Sequence, residues 1–320
     1  MAVAQRLSVS IQSDINLSTA MDSTHFLSLL GEMPNKSELN LKVIEEVDCG
    51  AFVRQKISYS SEAGETISAF LCIPKNVSAS LPAIYCFHQH AANWSLGKSE
   101  VVGLAGSPDQ VYAKELSERG YITLAPDAIC FEERADAIDP VQYHAHQLHS
   151  RLMRGQTLLG KVLFDISAGI DLLQSLLQVD VTRIGFIGHS YGGRTALFAP
   201  AFDRRIKVSV SNCGSTKFKT MLAQDIGIQF DYVVPGFLAW GDIEDIVRLV
   251  EPSHLLMLGT DADKWSQDID DIYEYAKSAF VTGELERQIY PGKHSFSEEM
   301  RERAYKFLDR HLNKPALPAR

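Results

Sequence analysis

A serine with a glycine two residues to either side is the residue best placed for covalent chemistry in this chain. Ser190 lies between Gly188 and Gly192, and the short apolar segment 184–187 leads into it. A serine at the apex of a sharp strand-to-helix turn needs such neighbours, because Cβ atoms there would collide with the flanking strand and helix. The helix that follows directs its unpaired N–H groups and positive dipole end towards the serine. The pattern therefore predicts a nucleophile elbow that stabilises a developing oxyanion.

A serine hydroxyl needs a general base, and a histidine close to the C-terminus is the strongest candidate. His294 lies in the loop between the last expected strand and the last helix, which begins with a capping box at Ser295. The base follows the serine along the chain when the serine occupies such an elbow. His254 begins an expected strand and His311 lies on the final helix, so neither position suits a loop base. We therefore assign His294 as the base.

The acid that orients the histidine is expected between the serine and the histidine. The loop after the expected strand 255–258 carries Asp261 and Asp263, and we favour Asp263. Three further aspartates, in the segment 268–271, fall in the first turn of the next helix. Negative charge there stabilises the helix dipole. The sequence leaves Asp261 open as the alternative acid.

Two backbone N–H groups are needed to bind the oxyanion. The first is expected to be that of Tyr191, directly after the serine. The second is expected in the loop after the strand 81–87, where we favour the N–H of His90 and keep Gln89 as the alternative.

The motif, the acid loop and the histidine together resemble the α/β-hydrolase superfamily. Within it, the chain is similar to the dienelactone hydrolase-like branch, which also contains acetyl xylan esterase-like and carboxylesterase-like proteins. The resemblance runs from about residue 57 to the C-terminus, and it rests on the segments 126–134, 179–185 and 188–197. It implies an α/β-hydrolase fold with a mostly parallel central sheet and a small cap.

Three positions depart from the resemblance or refine it. The strand before the oxyanion loop ends in His88-Gln89, where many relatives have His-Gly, and Ala262 stands where relatives commonly carry the acid. Dienelactone hydrolases proper use a cysteine nucleophile. Ser190 therefore indicates esterase chemistry.

The elements that must position these residues follow an α/β pattern. Two alternating segments, 53–59 and 66–73, predict an antiparallel hairpin at the edge of the sheet. Downstream, strands alternate with helices, which predicts a mostly parallel sheet with helices on both faces. The expected strands of that part are 81–87, 121–125, 183–187, 206–211, 255–258 and 287–290. Sites in such sheets lie at the carboxyl ends of the strands.

We expect one hydrolase domain over residues 46–320, preceded by an N-terminal helical arm over 1–45. The segment 214–250 is longer than a simple connection and rich in aromatic residues, which predicts a cap or pocket roof.

Three residues are candidates for contact with substrate. Tyr232 and Trp240 lie in the expected cap, and Glu133 follows a strand end. Ordinary packing explains the two aromatic residues equally well, and an ion pair with Arg194 explains Glu133.

Composition limits the partners. The 320 residues are 45% apolar and carry a formal net charge of −9, which argues against nucleic acid or anionic membranes as partners. No segment approaches the roughly 20 apolar residues of a membrane span. No secretory signal is evident at the N-terminus, so a cytoplasmic protein is expected. The sequence does not indicate an oligomeric state.

Neither a metal nor a cofactor is expected. The five cysteines are dispersed without a Cys-x-x-Cys pair, which argues against a disulfide framework and a zinc site. The histidines 144, 146 and 149 share no common face on a helix or strand, so a solvated helix start or loop is preferred to a metal cluster.

These features predict a serine hydrolase that cleaves a small-molecule carboxylic ester, or an amide or lactone, through an acyl-enzyme. Two alternatives stay open: an acyltransferase that uses the same triad, and a catalytically silent binding protein on this fold.

Overall fold

A computed structural model gives the positions of residues 21–75, 79–136 and 138–312. Within these ranges, nine strands form a single sheet. In chain order they are β1 (Lys42–Asp48), β2 (Phe52–Tyr59), β3 (Ile67–Pro74), β4 (Leu81–Phe87), β5 (Ile122–Pro126), β6 (Val179–His189), β7 (Ile206–Asn212), β8 (His254–Thr260) and β9 (Leu285–Tyr290). Their order across the sheet is β1-β2-β3-β5-β4-β6-β7-β8-β9.

Parallel pairing dominates the sheet. The strands from β5 and β4 through β9 are parallel to their neighbours. Antiparallel pairs join β1 to β2, β2 to β3, and β3 to β5. The predicted α/β fold with a mostly parallel sheet is confirmed. The loops that follow β4, β6, β8 and β9 lie at one edge of the sheet, where the carboxyl ends of parallel strands meet.

Helices cover the sheet on both faces. The α-helices of the described residues are α1 (Ser23–Leu29), α2 (Lys98–Val101), α3 (Tyr112–Glu118), α4 (Pro140–Leu152), α5 (Leu158–Ser175), α6 (Tyr191–Phe202), α7 (Phe218–Ala223), α8 (Ile243–Arg248), α9 (Ile269–Ala276) and α10 (Glu298–Leu312). None of these combines the length and apolar character needed to span a membrane.

The side chains of β4 show how the two faces are filled. Tyr85 and Phe87 belong to the core that α5 and α6 cover. Ile84 and Cys86 point the other way, into the core beneath α3 and α10. Because successive side chains of a strand alternate between faces, an uninterrupted apolar strand supplies both cores.

The edge of the sheet differs from the prediction. The hairpin of β2 and β3 forms as expected, but β1 pairs with β2 on its outer side, so β1 is the edge strand. The side chains of β1 are almost all exposed. Its sequence mixes charged and apolar residues without strict alternation, which explains why no strand was predicted there.

The described part of the predicted N-terminal arm contains one short helix that packs against α6. Helix α1 begins after Asp22, whose carboxylate accepts the N–H of His25 at 2.8 Å. Phe26 is fully buried and lies 6.0 Å from the ring of Phe198 on α6. Residues 42–45 belong to β1, and residues 1–20 of the predicted arm lie outside the described residues.

Two further segments bear on the site. The segment 214–250, predicted to form a cap, contains α7, α8 and two 3-10 turns at Phe230–Tyr232 and Phe237–Ala239. Helix α4 was not predicted, because its apolar residues are too few for a clear helical period. It contacts the turn at Phe230–Tyr232, which belongs to the predicted cap.

Candidate active site

Ser190 occupies a strained turn between β6 and α6. Its backbone has φ 59° and ψ −111°, a conformation that residues other than glycine rarely adopt. The turn is held by its N–H, which donates to the carbonyl of Asn212 at 2.8 Å. A Cβ on Gly188 would lie 2.4 Å from the backbone of Gly192, and one on Gly192 would lie 2.2 Å from the Phe87 carbonyl oxygen. Glycine is therefore required at both positions, for the steric reason expected from the motif.

A third glycine brings the helix close to the next strand. A Cβ on Gly193 would lie 2.1 Å from the carbonyl oxygen of Asn212, at the end of β7. The start of α6 is thus in backbone contact with both neighbouring strands, which fixes the direction of its first N–H groups.

The loops after β8 and β9 bring His294 and Asp263 together. Nδ1 of His294 lies 3.0 Å from Oδ2 of Asp263, although the ring N–H is not aligned with the oxygen. Imperfect alignment is common in catalytic sites without substrate. Asp263 also accepts the hydroxyl of Ser266 at 2.6 Å and the N–H of Trp265 at 3.0 Å. Burial raises the pKa of Asp263, but these donors and the imidazole outweigh burial and hold it below its ordinary value.

Asp261 has a different environment. Its exposed carboxylate accepts the N–H of Gly292 at 2.9 Å, and its own N–H donates to the Tyr290 carbonyl at 2.9 Å. These contacts tie the β8 loop to the loop that carries His294. Of the two predicted acids, only Asp263 contacts the imidazole.

Ser190 and His294 line one cavity of about 340 Å³ at the carboxyl end of the sheet. The residues that line it are Gln89, His90, Ala91, Ala92, Ser190, Arg194, Cys213, Gln229, Trp265 and His294. Both candidates for the second oxyanion donor, His90 and Gln89, are in this set. The other lining residues, apart from Ser190 and His294, were not predicted to line the cavity. Arg194 could have been found from its position one helical turn after Ser190, but no local sequence signal points to the rest.

The loop after β4 is held in place by several side-chain contacts. Nε2 of His88 accepts the N–H of Ala128 at 3.1 Å, while its Nδ1 lies 2.7 Å from the Gln89 carbonyl oxygen. Burial lowers the pKa of His88 to about 4, so its ring is neutral near pH 7. The ring of His90 accepts the N–H of Ala92 at 3.0 Å. The loop therefore has a defined shape beside Ser190.

Tyr191 joins the serine to the predicted cap. It is the first residue of α6, so its N–H has no acceptor within the helix and faces the serine side of the turn. Its hydroxyl donates to Oδ1 of Asp231 at 2.9 Å, and its carbonyl accepts the hydroxyl of Tyr232 at 2.9 Å. The residue expected to bind the oxyanion is thus fixed by the Phe230–Tyr232 turn.

His144 extends this network and differs from its predicted solvated position. It is fully buried on α4, with Nε2 3.1 Å from Oδ2 of Asp231. Its Nδ1 accepts the indole N–H of Trp94 at 3.0 Å. The burial of His144 was not predicted because its partners, Trp94 and Asp231, come from distant segments of the chain. The sequence around His144 gives no sign of them.

The three predicted pocket residues lie elsewhere. The hydroxyl of Tyr232 is 2.8 Å from Oγ1 of Thr195 behind α6, and the ring of Trp240 stacks on His25 at 4.2 Å near the surface. Glu133 lies 2.6 Å from Nζ of Lys56 rather than beside Arg194. None of the three lines the cavity, because packing or pairing partners hold each of them away from it.

Two groups of side chains in the described residues have spacings that a metal ion could use. Cys213, Asp263 and His294 form the first, which shares its carboxylate and its imidazole with the pair described above. The second, His254, Glu284 and His311, lies where β8 begins, at the opposite end of that strand from the cavity.

This chain is similar to known proteins in sequence and in fold. The Bacillus subtilis protein YtaP is 26% identical over 235 residues, which cover 72% of this chain and 77% of that protein. Among solved structures, acetyl xylan esterase 1 from Thermoanaerobacterium sp. matches with a TM-score of 0.64 at 15% identity, over 91% of this chain and 98% of that chain. A glucuronoyl esterase from Solibacter usitatus matches with a TM-score of 0.66 at 16% identity, over 90% and 91% of the two chains.

The family match is more specific than these structural similarities. The family model for acetyl xylan esterase (AXE1) matches residues 32–214. The matched region includes the loop after β4, the turn at Ser190 and the start of α6, and it spans more than half of the chain. This protein is therefore a member of the acetyl xylan esterase (AXE1) family.

Proposed function

We propose that this protein is a serine carboxylesterase in which Ser190, His294 and Asp263 form the catalytic triad. One observation carries the proposal: Ser190 and His294 line the same cavity, and Asp263 lies 3.0 Å behind the imidazole. Membership of an esterase family supports the reaction class.

The reaction follows from the roles of these groups. Nε2 of His294 takes the proton of the Ser190 hydroxyl as its oxygen attacks the ester carbonyl carbon. The carbonyl oxygen becomes an oxyanion, which accepts the N–H of Tyr191 and one N–H from the His88–His90 loop. The protonated imidazole then returns the proton to the departing alcohol. Water deacylates the enzyme by the same steps, and the Asp263 carboxylate stabilises the imidazolium throughout.

Short-chain esters, acetyl esters above all, are the proposed substrates. A cavity of about 340 Å³ is at the small end of ligand sites and must also hold the alcohol part of the ester. One structurally similar protein is acetyl xylan esterase 1 from Thermoanaerobacterium sp., whose name gives acetyl xylan as its substrate. We therefore expect kcat/KM to fall from p-nitrophenyl acetate to the butyrate and octanoate.

Neither alternative is favoured. Acyl transfer would be supported by a dry cavity, but this one is lined by Gln89, His90 and Gln229. A silent binding protein would have no need for the strained backbone at Ser190.

The test is covalent labelling by a fluorophosphonate probe. The wild-type protein should be labelled and should hydrolyse p-nitrophenyl acetate, whereas Ser190→Ala should do neither while keeping its thermal unfolding midpoint. Ser297→Ala, a change in another hydroxyl that lies outside the cavity, is the matched control and should label normally. A wild-type protein that resists labelling would contradict the proposal.

A further inference from the structure

A buried arginine in the cavity has no hydrogen-bond partner for the terminal nitrogens of its guanidinium. Arg194 is 3% exposed, and it lines the same cavity as Ser190. Its terminal nitrogens Nη1 and Nη2 are buried, yet neither donates a hydrogen bond to any described residue. A buried charge without a counterion is costly, and such groups are normally paired. Burial accordingly lowers the pKa of Arg194, although an arginine keeps its proton at neutral pH.

The surroundings of Arg194 hold the guanidinium in place without a hydrogen bond to its terminal nitrogens. The carboxylates of Asp242 and Asp268 attract the charge, but neither accepts a hydrogen bond from Nη1 or Nη2. Its central carbon lies 5.2 Å from the ring centroid of Phe218 and 5.6 Å from that of Tyr232. Aromatic faces attract a cation, but they accept none of its N–H bonds in the way a carboxylate does. The two rings therefore fix the group and leave its N–H donors available to a ligand.

The positive charge of Arg194 lies at the end of α6 where it does not stabilise the helix. It lies in the first turn of α6, where the helix dipole disfavours a positive charge. The helix N-terminus and the guanidinium thus combine to favour an anion at this end of the cavity. The lining residues include no other lysine or arginine and no aspartate or glutamate, so Arg194 is the one fixed charge that faces the cavity.

Arg194 is also within reach of the reacting ester. It follows Ser190 by four residues, so the two lie on the same face of the helix, about 6 Å apart along its axis. When Ser190 attacks the carbonyl carbon of a substrate, a substrate group a few bonds from that carbon therefore lies close to the guanidinium of Arg194.

We propose that Arg194 binds a carboxylate carried by the substrate, so that the preferred esters are monoanions with the carboxylate a few bonds from the scissile bond. This inference rests on the proposed esterase function and adds a substrate class to it. A carboxylate matches the planar fork of arginine through two parallel hydrogen bonds, and its single charge matches the single cation of the cavity.

Matched pairs of esters test the proposal. Ethyl hydrogen succinate carries the carboxylate on the acyl side, and ethyl levulinate replaces it by a methyl ketone of nearly the same size. Acetoxyacetate and acetoxyacetone form the corresponding pair with the charge on the alcohol side. For at least one pair, Arg194→Met should lower the ratio of the anionic to the neutral kcat/KM by about 10- to 100-fold, the range expected for hydrogen bonds between charged groups.

Two other variants provide controls. Arg194→Lys keeps the charge but loses the planar fork, so it should keep part of the preference. Arg248→Met removes a guanidinium from α8, outside the cavity, and should leave both kcat/KM values unchanged.

A binding measurement on the wild-type protein avoids dependence on the folding of a variant. Succinamate is an uncleaved carboxylate, and succinamide is its neutral counterpart. Succinamate should bind at least tenfold more tightly in calorimetry, and Arg194→Lys should reduce this difference.

Failure of this inference can be distinguished from failure of the esterase function. A protein that is labelled at Ser190 and hydrolyses ethyl levulinate, but shows equal ratios in wild type and Arg194→Met and equal binding of succinamate and succinamide, would overturn the role of Arg194 alone. A protein that is neither labelled nor active on any ester would overturn the esterase function, and the calorimetric comparison would still decide the role of Arg194.

Discussion

Asp261 and Asp263 are separated by one residue, yet their carboxylates interact with different partners. Asp263 is buried beside the imidazole of His294, and Asp261 is exposed and accepts a backbone N–H of the neighbouring loop. We therefore expect the two carboxylates to have separable effects: that of Asp263 on the proposed base, and that of Asp261 on the position of the loop that carries His294.

Asp263→Asn should lower kcat by about 10⁴-fold, because an amide cannot stabilise the imidazolium that forms during acylation. Asp261→Asn should lower kcat by less than about tenfold, since an amide oxygen still accepts the Gly292 N–H. Steady-state kinetics on p-nitrophenyl acetate measures both. Equal small effects of the two substitutions would contradict the assignment of Asp263 as the acid.

The position of a residue in the candidate site could be predicted from the sequence wherever the signal lay in its neighbouring residues. The flanking glycines predicted the sharp turn at Ser190, and a loop between a strand and a helix predicted the position of His294; both residues line the cavity. Asp231 and His144 were not found, because their contact joins distant segments and neither belongs to a motif. The ion pair suggested between Arg194 and Glu133 does not form, because Glu133 pairs with Lys56 instead. The sequence around Glu133 does not show that Lys56 lies beside it in the fold.

At the scale of elements, the contact between α6 and the Phe230–Tyr232 turn links the serine to the predicted cap. Asp231 accepts the Tyr191 hydroxyl, and the Tyr232 hydroxyl donates to the Tyr191 carbonyl. All three side chains are buried, so an unmet hydrogen bond there would be costly.

Tyr191→Phe should lower the free energy of unfolding by about 1.5–3 kcal/mol, because it leaves the buried Asp231 carboxylate without one of its donors. The backbone N–H of residue 191 stays in place, so fluorophosphonate labelling should persist. Urea unfolding measures the stability. In the double variant Tyr191→Phe, Asp231→Asn the two losses should not add, because the residues share one interaction. Additive losses would contradict the coupling.

Element prediction succeeded for the buried parallel strands and failed for exposed or irregular ones. The continuous apolar run of β4 was predicted with its observed limits, Leu81–Phe87. Strand β1 was missed because its side chains lack the alternation that burial of one face imposes. Helix α4 was missed because it buries only His144 and Leu148.

For the molecule as a whole, buried neutral histidines make stability depend on pH. Burial lowers the pKa of His88 to about 4 and that of His189 well below its ordinary value. An unfolded chain has a histidine pKa of about 6.5. Between these values the unfolded state binds protons that the folded state does not, so the free energy of unfolding falls as the pH falls.

His88 alone should lower the free energy of unfolding by about 2 kcal/mol between pH 7 and pH 5. Urea unfolding at a series of pH values should therefore show a weaker pH dependence for His88→Gln than for the wild type. His149→Gln, at an exposed position of α4, is the matched control and should keep the wild-type dependence. An unchanged dependence in His88→Gln would show that this ring does not carry the effect.

The outer side of β1 leaves a row of backbone donors and acceptors at the edge of the sheet, beside the exposed side chains of Val43 and Ile44. Such an edge is a template on which a second chain can add a strand and begin aggregation. The glutamates at 45 and 46, together with the break in register between Val43 and Glu45, place charge and irregularity along this edge. Charge and irregular pairing at an edge strand oppose the addition of a strand from a second chain, so these features favour solubility over aggregation.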